Sequence, residues 1–285
     1  MIDIKKVAAV HDIAGYGRAS LTVVIPVLAS MGVQVCPMPT AVFSNQTEYE
    51  NFSKVDLTDS LPQFIARWEE LGLTFDSIYT GFLGSIGQID IIKDFITRFR
   101  NEKCRVLVDP VMGDEGSIYP VFSQEYTERM KSLVSTAHII TPNLTEACLL
   151  LGIPYPDRAE DDFIKESLVR LSDLGPQKVV ITGIPHPRED KLSVACFDKA
   201  CGRRWKITGR KYNAGYSGTG DAFASALLGG LLKGDSLPAA CDRAMKFVSA
   251  CIRDTYEYKD LKEFLLEGQL PFLNSYLPGG NYTEI

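Results

Sequence analysis

The chain has 285 residues, of which 45% are hydrophobic and 23% charged, the composition of a globular protein that can bury a sizeable core and not of a disordered one. A formal charge of −6 gives no broad electrostatic reason to bind nucleic acid or an anionic membrane, so any phosphate site has to be local. The start of the chain lacks the apolar stretch of a secretory signal, no run approaches 18 apolar residues, and the seven cysteines form no CxxC pair. A cytoplasmic protein without a disulfide framework or zinc site is expected, with most cysteines in the core.

Short β-branched runs alternate with helical periodicity from the beginning. Val7 to Val10 reads as a strand, Ser20 to Met31 as a helix and Val33 to Val35 as a second strand. A helix near Leu61 to Leu71, a strand from Ser77 to Thr80 and a helix from Ile89 to Phe99 follow, and then the strand Arg105 to Val108, ending at Asp109-Pro110. Further strands are expected at His138 to Thr141, Lys178 to Thr182 and Ser193 to Phe197, with helices over Asp161 to Leu171, Asp221 to Leu232 and Leu237 to Arg253. This βαβ rhythm predicts an α/β fold with a central, mostly parallel sheet in a single domain over 1–285, since no repeat or low-complexity tract interrupts it. Ligands of open parallel sheets bind beyond the carboxyl ends of the strands, and Asp12, Gly81, Asp109, Asn143 and Gly183 each follow a predicted strand closely.

The segment from Asn213 to Asp221 is a Gly-rich turn entering a helix of small residues; three of the six residues from Gly215 to Gly220 are glycine. Its unpaired first-turn amides and the positive end of the helix dipole suit an anion. Asp221 in that place reads, from this segment alone, as either a helix cap or a functional carboxylate. As a base it would accept the proton of an attacking alcohol while the amides of Gly218, Thr219 and Gly220 balance charge on the transferring phosphate. No GxxxxGK[ST] motif and no protein-kinase motif set occurs.

Gly218-Thr219-Gly220-Asp221-Ala222-Phe223 resembles the anion-hole signature of ribokinase-like kinases. Val108 to Ser117 and Thr141 to Glu146 are similar to the two middle motifs of their vitamin-kinase branch, and Gly15-Tyr16-Gly17 with Val42 to Tyr49 resemble pyridoxal kinases in particular. The resemblance spans about residues 7–253. It implies a three-layer αβα sandwich and ATP-dependent phosphorylation of the 5′-hydroxymethyl group of a B6 vitamer (pyridoxal, pyridoxine or pyridoxamine), with Asp221 as base. It also implies a homodimer.

Asp109, Asp114, Asn143 and Glu146 would place three carboxylates and an amide around the phosphates, a charge that calls for a cation. Mg²⁺ carried by ATP supplies it, with Asp109, Asn143 and Glu146 acting on the metal, largely through water, as the resemblance implies; a need for K⁺ is left open. The structural alternative is that Asn143 caps the helix starting at Leu144, with Glu146 completing a capping box, and the two readings are compatible. By resemblance, Asp109, Asp114, Asn143, Thr182, Gly183, Gly218 and Gly220 line the nucleotide, with adenine contacts from loops beyond Gly183 and the helix near Met245 to Ala250.

At the substrate end the resemblance points to Asp12, Tyr16, Ser44, Thr47 and Phe82. Phe82 replaces a tyrosine of the family loop, and Asp12 stands where pyridoxal kinases usually carry serine. A carboxylate there can form a charge-assisted bond to an aminomethyl group or a protonated ring nitrogen, which tilts the expectation towards pyridoxamine; its alternative role is to bind nearby backbone amides. His11 beside it reads as a structural residue. Hydroxymethylpyrimidine kinases of the same fold, which tend to carry cysteine at the position of Asp221, are the nearest rival, and a catalytically silent nucleotide or vitamer sensor is the other.

Overall fold

The computed structural model describes residues 4–212, 215–258, 261–276 and 279–285. Asn213 and Ala214, the start of the predicted Gly-rich turn, lie outside the described residues. The chain builds β1 (Lys6–Ala14), α1 (Leu21–Ser30), β2 (Gln34–Phe43), β3 (Lys54–Asp56), α2 (Leu61–Glu70), β4 (Ser77–Thr80), α3 (Ile86–Phe99) and β5 (Arg105–Val108). A small hairpin, β6 (Gly113–Asp114) and β7 (Ser117–Ile118), leads to α4 (Gln124–Val134), β8 (Ile139–Ile140), α5 (Leu144–Leu151) and α6 (Asp161–Asp173). Then come β9 (Lys178–Pro185), β10 (Lys191–Asp198), β11 (Arg203–Arg210), α7 (Thr219–Leu232), α8 (Leu237–Tyr256), α9 (Phe272–Ser275) and β12 (Tyr282–Glu284).

Ten strands form one sheet in the order β12-β11-β10-β9-β8-β5-β4-β1-β2-β3. From β9 to β2 every pairing is parallel, whereas β10, β11 and β12 on one side and β3 on the other pair antiparallel. The alternation of side chains along β1 shows why helices cover both faces. Ala8 and Val10 pack with Ile65, Ile92, Met130, Leu150 and Leu168 of α2 to α6, while Val7 and Ala9 pack with Leu21, Val24, Ala224 and Leu228 of α1 and α7. The expected α/β architecture is therefore observed. Five of the seven cysteines are buried in it, and Cys201 is exposed.

Three strands run further than their hydrophobic patterns suggest. β1 continues through His11 and Asp12 to Ala14, so Asp12 lies within the strand, and Gly183 likewise lies within β9. β2 extends from Gln34 to Phe43 despite Pro37 and Pro39, because β3 pairs only with Ala41 to Phe43 and leaves the rest of that edge free of a ladder that needs their N–H groups. Between His11 and Ile13 the β1–β2 register shifts, an irregularity of the kind that re-aims side chains at a strand's end. Among the described residues no helix is long and apolar enough to cross a membrane.

Candidate active site

The carboxyl ends of β1, β4, β5 and β9 and the first turns of α5 and α7 meet along one edge of the sheet. Gly218 is the N-cap of α7 at φ 84°, a left-handed conformation, and a β-carbon there would lie 2.3 Å from the carbonyl oxygen of Arg18. Only glycine meets both demands without displacing the neighbouring turn. The amides that open α7 have no acceptor one turn earlier in the helix, which leaves donors at the positive end of a 14-residue dipole.

Asp221 occupies the third position of α7, yet it makes no cap bond to its own helix. Its Oδ2 accepts from the backbone N–H of Ser20 at 2.8 Å, 201 residues away in sequence. The reading of Asp221 as a mere cap is thereby excluded. Ser20 is also held by its hydroxyl, which donates to Asp12 Oδ1 at 2.6 Å, so this one residue joins the two aspartates. It does so at φ 53° and ψ −128°, a conformation costly for a residue with a β-carbon and common at functional sites.

Burial raises the pKa of Asp221 to about 8 against the Ser20 amide, and the charges of Asp109 and Asp12 push the same way as burial. Asp12 is also raised by burial, opposed by the Ser20 hydroxyl and more distantly by Lys54. Asp12 thus bonds a side-chain hydroxyl in addition to the backbone contact that its alternative role anticipates. A carboxyl with a pKa near neutrality, at the start of a helix whose opening amides it does not bind, is suited to take a proton as negative charge moves towards a phosphate.

The second cluster is built from Asp109 and the start of α5. Asn143 Oδ1 accepts from Glu146 N at 2.8 Å and Glu146 Oε2 from Asn143 N at 2.8 Å, the predicted capping box. The other Glu146 oxygen accepts from Met112 N at 3.1 Å, and Asn143 Nδ2 donates to Gly113 O at 2.8 Å. The box therefore fastens the segment after Asp109 to α5. Asp109 Oδ1 accepts from the Thr141 hydroxyl at 2.8 Å. Burial lifts Asp109 to about 7, and burial together with the Asp109 charge lifts Glu146 well above the carboxylate range.

Among the described residues no three His, Cys, Asp or Glu side chains form a direct metal cage. Asp109 and Glu146, two buried carboxyls facing one cluster, nevertheless fit a divalent ion that brings its own waters and phosphates as ligands. Asn143 is engaged at both ends of its amide and serves to position them. Asp114 bonds the adjacent Glu115 N and is exposed. Thr182 forms an isolated bridge with Asn143, and Gly183 at φ 67° lies against the Asn143 β-carbon, so the Thr182-Gly183 turn does join this cluster.

The substrate-side residues come from the loops that follow β1, β2 and β4, with Asp12 at the end of β1 itself. Gly15 N donates to Phe43 O and Gln46 N to Tyr16 O, which packs the Tyr16 turn on the segment from Ser44 to Thr47. Tyr16 is exposed and meets Tyr49 edge-on at 5.4 Å. Thr47 is exposed, and the Ser44 hydroxyl is spent on Ser53 N and Asn45. Phe82 packs on Phe122, which stacks on Tyr126. Three residues that the sequence did not single out also belong here. Ser20 looked like a helix start, Lys54 lies on a strand too short to read, and Arg18 pairs with Glu263 at 3.1 Å and Glu267 at 2.8 Å, closing the C-terminal segment over the Tyr16 turn.

This arrangement can be set beside known proteins. Residues 22–264 match the model of the phosphomethylpyrimidine kinase family. The chain belongs to that family. It is 32% identical over 262 residues to the pyridoxal kinase of Arabidopsis thaliana, covering 87% of this chain and 80% of that one. A solved structure from Bacteroides thetaiotaomicron, of a protein assigned as a phosphomethylpyrimidine kinase and crystallised with pyridoxal, has 49% identity and a TM-score of 0.95 over 99% of this chain and 100% of that one. The pyridoxal kinase of Lactobacillus plantarum has 29% identity and a TM-score of 0.87, covering 96% and 98%. The chain is a phosphotransferase of the pyridoxal kinase type in the ribokinase-like family.

Proposed function

We propose that the protein transfers the γ-phosphoryl group of ATP to the 5′-hydroxymethyl group of a vitamin B6 vitamer, with Asp221 as the base. The observation that carries this reading is the placement of Asp221, held across the cleft by Ser20 and not by its own helix, beside the free amides that open α7. Asp221 accepts the proton of the hydroxymethyl group as its oxygen attacks phosphorus, and the amides of Gly218, Thr219 and Gly220 face the transferring oxygens. Asp109 and Glu146 would hold a hydrated Mg²⁺, and Asn143, Asp114, Thr182 and Gly183 line the nucleotide side. The ion, when bound, neutralises phosphate charge.

Asp12, Tyr16, Ser44, Thr47 and Phe82 surround the ring. The buried Asp12 carboxylate favours an aminomethyl substituent, so pyridoxamine is the preferred vitamer in this reading. A homodimer in the cytoplasm is part of it. The pyridoxal kinase relatives and the pyridoxal bound to the Bacteroides protein support a B6 acceptor. The family model favours a second reading, a hydroxymethylpyrimidine acceptor. A coupled ADP-release assay across pyridoxal, pyridoxine, pyridoxamine, hydroxymethylpyrimidine and simple sugars separates them. The expected result is a kcat/KM for the best B6 vitamer at least about tenfold above that for the pyrimidine, or ~1.4 kcal/mol. A preference for the pyrimidine, or no ADP from any acceptor, overturns the proposal.

A further inference from the structure

His11 is fully buried, and neither ring nitrogen has a hydrogen-bond partner. A neutral imidazole carries one N–H, and a buried donor without an acceptor costs on the order of 1–3 kcal/mol, so the arrangement needs a reason. Burial pushes the imidazole pKa down to about 3, which keeps the ring neutral in the working range. The ring stands edge-on to Tyr79, with centroids 4.4 Å apart, and its Nδ1 lies 3.7 Å from Asp221 Oδ1. The chain also makes room for the ring, since a β-carbon on Gly81 would sit 2.2 Å from Nδ1.

Ser20 N–H already holds Asp221 Oδ2, and the oxygen facing His11 is the other one. At 3.7 Å the pair is too long for a hydrogen bond, and a side-chain adjustment of under about 1 Å would form one. We infer that His11 is a positioning residue for the reaction: its Nδ1–H closes on Asp221 Oδ1 in the filled site and, with Ser20 N–H on Oδ2, fixes the carboxylate towards the acceptor hydroxyl. Each carboxylate oxygen keeps a further lone pair, so the two donors orient the base without consuming its capacity to take a proton. Nε2 is then the acceptor nitrogen, and His11 neither touches the substrate nor gains a charge. The inference rests on the assignment of Asp221 as the base.

The test compares His11→Phe, His11→Asn and His11→Gln in steady-state kinetics with ATP and the best acceptor. The amide nitrogen of asparagine falls near the place of Nδ1, whereas that of glutamine reaches towards Nε2. His11→Phe is expected to lower kcat about 10-fold to 100-fold with both KM values nearly unchanged, the effect of a misplaced reacting group. His11→Asn should restore most of the loss and His11→Gln should not. In an Asp221→Asn background, His11→Phe should cost nothing further, because the two residues act as a unit.

A His11→Phe enzyme within threefold of the parent overturns the inference, as do equal rescue by asparagine and glutamine and losses that multiply in the double variant. Should the phenylalanine variant fail to fold, the asparagine and glutamine pair decides alone. An active Asp221→Asn enzyme would remove the base assignment itself. Inactive Asp221→Asn beside fully active His11→Phe would remove only the role of His11.

Discussion

Glu146 and Asp221 stand at the same place in two helices, the third residue of α5 and of α7, at the edge of the same sheet, Glu146 buried and Asp221 half-buried. The protein uses them in opposite ways. The Glu146 side chain is long enough to reach back to Asn143 N, and its second oxygen takes Met112 N, so both oxygens are tied to the backbone. Asp221 is one methylene shorter, and its helix opens with a glycine in the left-handed conformation and no capping side chain. Its carboxylate leans away from its own amides and takes a single backbone donor from Ser20. The first arrangement fixes both oxygens of a carboxyl group in place. The second leaves both a carboxylate and a set of helix amides open to reactants.

The largest effect that can break this comparison is on turnover. Asp221→Asn keeps the Ser20 contact and the shape of the side chain and removes only the ability to take a proton. It should lower kcat by about 10²-fold to 10⁴-fold with folding and ATP affinity nearly intact. If most of the turnover survives, the free carboxylate at the start of α7 is no more than a buried acid, and the contrast with Glu146 loses its chemical meaning.

How far each carboxylate was legible follows from the same contrast. Asn143 and Glu146 are three residues apart, so the capping box can be read from sequence before any fold is known. The Ser20 to Asp221 bond joins residues 201 apart, and nothing local marks Ser20 as more than a helix start. The parallel core, whose strands are continuous apolar runs, was visible in the sequence. The full extent of β1 and β2 was not, because His11 and Asp12 interrupt the apolar run of β1, and Pro37 and Pro39 interrupt β2. Helix α4, with its polar face, and the antiparallel strand β11 also escaped the pattern. Family resemblance located the motif residues, but not the contacts between them.

A tenfold effect is expected on selectivity. Asp12 is tied to Asp221 through Ser20, yet only its Oδ1 is engaged by that hydroxyl. Asp12→Ser replaces a charge by a neutral hydroxyl and should lower kcat/KM for pyridoxamine relative to pyridoxal by about tenfold, the difference between a charge-assisted and a neutral hydrogen bond. Measuring all three vitamers in parent and variant checks it. An equal fall for every vitamer would mean that Asp12 serves the base through Ser20 and does not read the substrate, which would extend the Asp221 arrangement at the expense of the specificity assignment.

The smallest effect is on stability, and its sign follows from the raised pKa values. Asp109 at about 7 and Asp221 at about 8 hold protons in the folded protein that the unfolded chain releases near its ordinary value of 3.8. Between pH ~4 and ~8 the folded state therefore binds more protons, and stability falls as pH rises through that window, with the full penalty reached above the folded values. Tm of the nucleotide-free protein should drop by several degrees between pH 5 and pH 8, and Asp221→Asn should flatten part of that slope. Saturating ADP with Mg²⁺ should flatten the part due to Asp109, because a cation beside the carboxylate favours its charged form. Flattening by Asp221→Asn has to persist with the nucleotide bound if the two clusters are distinct. Should the bound nucleotide abolish the whole slope in the parent, the base and the cation cluster titrate as one site, and the division between the two helix starts disappears.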